Sequence, residues 1–222
     1  MKSLNRRETT KLFYDEYPYK LVVVNGLAFS FREKNLANAK ADLDLLQQQY
    51  DQGEPLVRGS FGYSRPVDYD TFFEAKNLYI EFCKQEDFKL RVSNPYMQIY
   101  SHDYNWLVML STKIKSACEF WEPKEGNLAA LEKNVILVNH PVEYQYKVTL
   151  GHTCDKNLAA WIKNNTDKVK AGNICLDTIE TSGYVRGMYF YVRDEKILQL
   201  LNLFVSKLAR IDKLVYNANI DK

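Results

Sequence analysis

The stretch EYPYKLVVVNG begins at Glu16, and EYQYKVTLG begins at Glu143, which is 143 − 16 = 127 positions later. Glu, Tyr, Tyr and Lys recur at the same spacing in both. A second agreement lies downstream, where Met97, Tyr100 and Asp103 match Met188, Tyr191 and Asp194 at an offset of 188 − 97 = 91. A chain that writes one strand twice, and one strand-to-helix junction twice, is constrained to fold as two copies of one unit. The offset falls by 127 − 91 = 36, so the first copy carries about 36 extra residues between these landmarks.

The second copy has the cleaner punctuation. Tyr144 to Leu150 alternates apolar with polar residues, the period of a half-buried strand. Asp155 suits a helix cap, and Leu158, Ala159 and Ile162 follow at helical spacing through Asn164. NNTDKVKAGN is rich in turn formers and is expected to be a connection. Asn173 to Glu180 then reads as a strand, turned by TSG into an antiparallel partner, Tyr184 to Val192. Asp194 caps an expected helix over EKILQLLNLFVSKLAR, with Ile197, Leu201, Phe204, Val205 and Leu208 on its apolar stripe. Ile211 to Tyr216 closes the unit, giving the order βαββαβ.

The first copy parses the same way. Tyr17 to Val24 is a strand, and Leu36, Ala39, Leu43, Leu46 and Tyr50 mark a helix. Phe88–Val92 and Tyr96–Tyr100 flank SNP as a hairpin, Asp103 caps a helix carrying Trp106, Leu107, Leu110 and Ile114, and Ala117–Trp121 closes it. The extra residues fall to an inserted loop and helix over 53–85, its helix near Asp68–Lys84. Both copies thus resemble the ferredoxin-like pattern. The expectation is an α+β chain of two tandem ferredoxin-like copies from an internal duplication, the first with an inserted helix. Residues 1–15 form an N-terminal arm, 16–123 the first copy, 124–133 a linker and 134–222 the second copy.

Charge and composition narrow the function classes. Thirty Lys and Arg against 28 Asp and Glu leave +2, so no global basic field draws nucleic acid to the chain. No run approaches the roughly 20 apolar residues of a membrane span, and MKSLNRRETTKLF lacks the apolar centre of a secretion signal. Four scattered cysteines without a CxxC pair fit buried, reduced thiols in a cytoplasmic protein. Tyrosine is abundant, 16 against 11 Phe and 3 Trp, and its apolar ring with a polar tip suits interfaces and stacking surfaces.

Two stretches carry binding chemistry. RGMYFYV, Arg186 to Val192, falls on the expected third strand of the second copy and resembles the strand of RNA-recognition motifs whose aromatics stack on bases. Arg186, Gly187 and Phe190 fit that pattern, while Met188 and Tyr189 depart from it. Alternation puts Tyr189 and Tyr191 on one face and Phe190 with Val192 on the other; which face is open decides whether Tyr or Phe stacks, and ordinary sheet packing is the alternative for the whole strand. The second stretch is LVRGSFGYSRPVDY, where Arg58 and Arg65 bracket Phe61 and Tyr63. Cations interleaved with aromatics suit single-stranded nucleic acid, a protein groove or a plain connecting loop.

Catalytic and metal patterns are thinner. His140, His152, Cys154 and Cys175 do not form the two tight pairs of structural zinc, so no metal or cofactor is expected. Neither GxxxxGK[ST] nor GxSxG occurs, and His102 beside Asp103 is not a nickase pair. A Gly-rich loop near the C-terminus, the mark of CRISPR repeat-RNA endonucleases, does not occur after Leu208. The style of the sequence is similar to uncharacterised bacteriophage proteins. The expectation is therefore a non-catalytic accessory protein, viral in style, that binds single-stranded RNA or DNA through Arg58, Phe61, Tyr63, Arg65, Arg186, Tyr189 and Tyr191. The alternative is a structural or interaction subunit that meets a protein partner or a second copy of itself, with no membrane involved.

Overall fold

The computed structural model describes residues 4–60, 63–152, 154–201 and 208–218, with the backbone alone at 60, 63, 208 and 209. The chain divides into two units, one of Met1–Thr9 with Glu16–Pro123, the other of Thr10–Asp15 with Lys124–Lys222. The N-terminal arm is thus shared, its first part in one unit and its second part in the other. Residues 124–133, read as a linker, belong to the second unit.

In the first unit the elements run β1 (Asn5–Thr9), β2 (Tyr19–Val24), α1 (Leu36–Asp51), β3 (Val57–Ser60), β4 (Tyr63–Pro66), α2 (Tyr69–Lys84), β5 (Phe88–Ser93), β6 (Tyr96–Ser101), α3 (Tyr104–Lys113) and β7 (Ala117–Pro123). Five strands form one sheet in the order β1-β7-β2-β6-β5, with β1 parallel to β7 and the other pairs antiparallel. Leu21, Val23, Met97, Ile99 and Phe120 point from the sheet into a core completed by Leu43, Phe72, Phe82 and Leu107 of the helices. Asp103 caps its helix as expected, and Asp68 caps α2 in the same way. Asp68 accepts from Thr71 N at 2.8 Å and Asp103 from Trp106 N at 2.9 Å, satisfying first-turn donors that the helix leaves unpaired.

The second unit runs β8 (Val135–Val138), β9 (Tyr146–Leu150), α4 (Asn157–Lys163), β10 (Val169–Ala171), α5 (Asn173–Glu180), β11 (Tyr189–Val192), α6 (Glu195–Leu201) and β12 (Leu208–Tyr216). Its sheet order is β10-β11-β9-β12-β8, with β8 parallel to β12. Reversed, this is the first unit's order strand for strand. Each unit is therefore α+β and ferredoxin-like, with one additional parallel strand beside its last strand.

The registers carry the duplication further. Tyr19 pairs with Ser101 and Leu21 with Ile99; Tyr146 pairs with Val192 and Val148 with Phe190. These are the same pairs shifted by 127 on one strand and 91 on the other. The bulge repeats too. Pairing skips Cys118 between Val22 and Val23, and skips Ala209 between Thr149 and Leu150. Even the added strand obeys the offsets, since Glu8 faces Glu122 and Val135 faces Lys213.

Five sequence assignments need correction. The N-cap of α4 is Lys156, without a side-chain cap hydrogen bond, and Asp155 instead accepts from Asn157 N at 2.8 Å. Asn173–Glu180 is the helix α5, because Cys175 and Ile179, one helical turn apart, are its buried positions. The second strand of that unit is the three-residue β10, inside the segment read as a connection. Strand β11 begins only at Tyr189, since Arg186 and Gly187 form a turn and Gly187 takes φ +83. The last strand begins at Leu208, which therefore leaves the expected helical stripe; Phe204 and Val205 of that stripe lie outside the described residues. Among the cysteines Cys175 is buried while Cys83 is exposed, and none of the four forms a disulfide.

Both units differ from the minimal pattern. Phe88 faces Ser101 as Val169 faces Val192, so β5 matches β10 at an offset of 169 − 88 = 81. The first unit thus inserts 127 − 81 = 46 residues between β2 and β5, and the second inserts 91 − 81 = 10 between β10 and β11. The net difference, 46 − 10, is the 36 residues read from the sequence.

Candidate nucleic-acid interface

In the second unit, alternation along β11 sends Phe190 and Val192 into the core with Val148, Leu150, Leu158, Ile162 and Ile179. Tyr189 and Tyr191 consequently stand on the face that carries no helix. Tyr189 is 45% exposed and Tyr191 half-buried. Their rings meet edge to face at 5.6 Å between centroids, a favoured aromatic geometry. Burial pushes the Tyr191 hydroxyl pKa up, helped by the charge and hydrogen bond of Tyr189. Tyr191 therefore stays a neutral hydroxyl throughout the physiological range.

The register sets cations beside these rings. Lys170, Tyr191, Lys147 and Asp212 are opposed in sequence across β10, β11, β9 and β12, forming one row over the sheet. The Lys147 ammonium lies 4.0 Å from the Tyr189 ring centroid, a cation–π distance. Two depressions flank the row. One of about 410 Å³ is bordered by Val138, His140, Tyr144 and Leu214; the other, of about 480 Å³, by Gly172, Ile174, Met188 and Tyr189. Lys170 and Tyr191 border both. At the far end of the row, Asp212 is neutralised by Arg210 Nε at 2.6 Å.

The first unit carries the same row. Lys89, Tyr100, Lys20 and Trp121 are opposed across β5, β6, β2 and β7. Here Tyr100 is buried, its hydroxyl donating to Gln98 at 2.5 Å. Lys20 lies 4.0 Å from the Trp121 ring centroid, and its pKa is lowered, chiefly by burial.

The residues expected to bind fall in both units. Tyr189 and Tyr191 share the sheet face; Arg186 lies in the exposed turn before the strand, on neither face. In the first unit Arg58 and Arg65 oppose each other across the β3–β4 hairpin. Phe61 and the Tyr63 side chain lie outside the described residues. Arg58 is ion-paired, with Nη2 2.8 Å and Nε 3.1 Å from Asp42 Oδ2. Sequence reasoning missed Lys147 and Lys170. Lys147 was visible in the repeated EYxYK, on the face opposite Val148. Lys170 was hidden because β10 is only three residues long.

Among the described residues, no group of three or more His, Cys, Asp or Glu side chains is placed to hold a metal ion. No helix of the described residues is long and apolar enough to cross a membrane. Comparison with protein-family models, curated proteins and solved structures found no match.

Proposed function

We propose that this chain binds single-stranded nucleic acid on the helix-free face of its second unit. The observation that carries this reading is the row Lys170–Tyr191–Lys147 with Tyr189 beside it, running from the edge strand β10 across β11 to β9 of a ferredoxin-like sheet. Tyr rings give bases a sequence-tolerant surface, and the flanking ammonium groups meet phosphates. The resemblance of RGMYFYV to an RNA-recognition strand does not carry this reading, because Phe190, the aromatic that fits the pattern, is buried in the core; Tyr189 and Tyr191 of the opposite face would do the stacking.

The net charge of +2 requires few phosphate contacts. Two lysines neutralising two phosphates give a salt slope of about −1.4, so affinity falls about sevenfold from ~50 to ~200 mM salt. Fluorescence anisotropy with labelled oligo-uridine and oligo-thymidine measures this directly. Tyr191→Ala is expected to weaken binding by about tenfold, the lower end of base–aromatic stacking. Absence of binding at ~50 mM salt, or binding indifferent to both Tyr191→Ala and Lys170→Ala, overturns the reading.

A protein interface is the second reading, favoured by Ile174, 76% exposed beside the same depression. Its affinity would hold across the salt range and fall with Ile174→Asp.

A further inference from the structure

The second unit closes its sheet with α4 alone between its first two core strands, so the fold does not require the first unit's 46-residue insertion (127 − 81). That insertion supplies Arg58, Arg65, Asp68 and Thr71 to the wall of a cavity of about 550 Å³, completed by Phe29 and Asn94. Arg58 and Arg65 are directly opposed across β3 and β4, and like charges so placed repel. Asp42 compensates Arg58, and its carboxylate is further satisfied by the Ser30 hydroxyl at 2.7 Å. Arg65 is exposed, and among the described residues no carboxylate pairs with it. The uncompensated charge faces the cavity.

Phe29 provides the other half of a recognition surface. Its ring is 36% exposed, with the guanidinium carbons of Arg32 and Arg58 at 5.6 and 5.8 Å from its centroid. The Asp68 carboxylate is occupied as the α2 cap, accepting from Thr71 N at 2.8 Å and Thr71 Oγ1 at 2.7 Å. It remains able to accept from a sugar hydroxyl. A cavity of this size lies within the range of small-molecule sites.

We propose that this cavity binds a nucleotide, its phosphate held between Arg58 and Arg65 and its base against Phe29. The site is separate from the sheet face of the second unit and does not rest on that reading. Calorimetric titration of the full chain with adenosine monophosphate, adenosine and inorganic phosphate tests it. The monophosphate is expected to bind with Kd below about 1 mM, and both fragments more weakly. Arg65→Ala, at an exposed position that leaves the Arg58–Asp42 pair intact, is expected to weaken the monophosphate by about tenfold, as for a lost charged hydrogen bond. Phe29→Ala is expected to weaken the monophosphate and leave inorganic phosphate unchanged. Tyr191→Ala is expected to change neither, which separates this site from the sheet face.

No saturable binding up to about 5 mM overturns the proposal. So does monophosphate binding that survives Arg65→Ala with circular dichroism unaltered, or inorganic phosphate binding as tightly as the monophosphate.

Discussion

Arg210 joins two carboxylates that the fold brings together from opposite ends of the sequence. Its Nη2 lies 2.5 Å from Asp15 Oδ1, and its Nε lies 2.6 Å from Asp212 Oδ1. The Asp212 side chain is 4% exposed, while Arg210 retains 29% and Asp15 22%. Arg210→Ala strands a buried charge on β12 and frees the Thr10–Asp15 segment from its ionic anchor. Removing one partner of a buried pair costs 3–5 kcal/mol, and partial exposure of Arg210 puts this site at the low end, about 3 kcal/mol. At 1.4 kcal/mol per decade, amides of β9 and β12 that open with the unit exchange about a hundredfold faster. Hydrogen-exchange mass spectrometry resolves peptides from these strands. Adding Asp212→Asn removes the stranded charge and is expected to recover at least half of the loss. A change under about fivefold, or no recovery with Asp212→Asn, refutes the reasoning.

Other outcomes follow from the same geometry. Phe190→Ala empties a fully buried position and is expected to cost about 3–5 kcal/mol, whereas Tyr189→Ala on the opposite face costs under about 1 kcal/mol by urea denaturation; the reverse order would invert the face assignment. Asp103→Ala and Asp194→Ala remove equivalent caps, accepting from Trp106 N at 2.9 Å and Ile197 N at 3.1 Å, and each is expected to cost about 1 kcal/mol. The buried Glu81 has its pKa held below the ordinary 4.5, first by the hydrogen bond from Lys113 and then by that from Lys84. Its contribution is therefore complete above pH 4.5 and is lost as pH falls through the depressed value. Glu81→Gln is expected to flatten that acid limb in thermal melts, and an unchanged limb counts against the ion pair.

The duplicated core was legible because strands buried on one face repeat a two-residue pattern that tolerates no register slip. The offsets of 127 and 91, read from Tyr19, Lys20, Met97 and Tyr100, return as strand registers. The flanking strand β1 was not legible, since four of the five residues of NRRET are exposed and carry no apolar alternation. Its place is set by a parallel neighbour more than a hundred residues away. Helix α5 misread as a strand for a related reason: NICLDTIE is short, and its four apolar side chains fit either period. The hairpin β3–β4 carries no strand periodicity in VRGSFGYSRP, yet Arg58 and Arg65 stand out there, because charge and aromatic content do not depend on the secondary structure.

The two Lys–Tyr–Lys rows share backbone register but differ at one residue on each side, and that difference redirects the central lysine. Beside Lys20 the aromatic residue is Trp121 on β7, and on β6 the position matching Tyr189 is Gln98. Lys20 accordingly lies over Trp121 at 4.0 Å, with Arg7 also 5.3 Å from that ring. Beside Lys147 the residue on β12 is Asp212, already neutralised by Arg210, so Lys147 turns toward Tyr189 at 4.0 Å. One lysine is spent on packing, its pKa lowered chiefly by burial, and the other stands beside the exposed ring. Lys147→Met is therefore expected to weaken oligonucleotide binding by about twofold to fourfold at ~100 mM salt, and Lys20→Met to leave it unchanged. Equal losses from the two variants would mean that both faces bind, and the assignment of the interface to the second unit alone would fail.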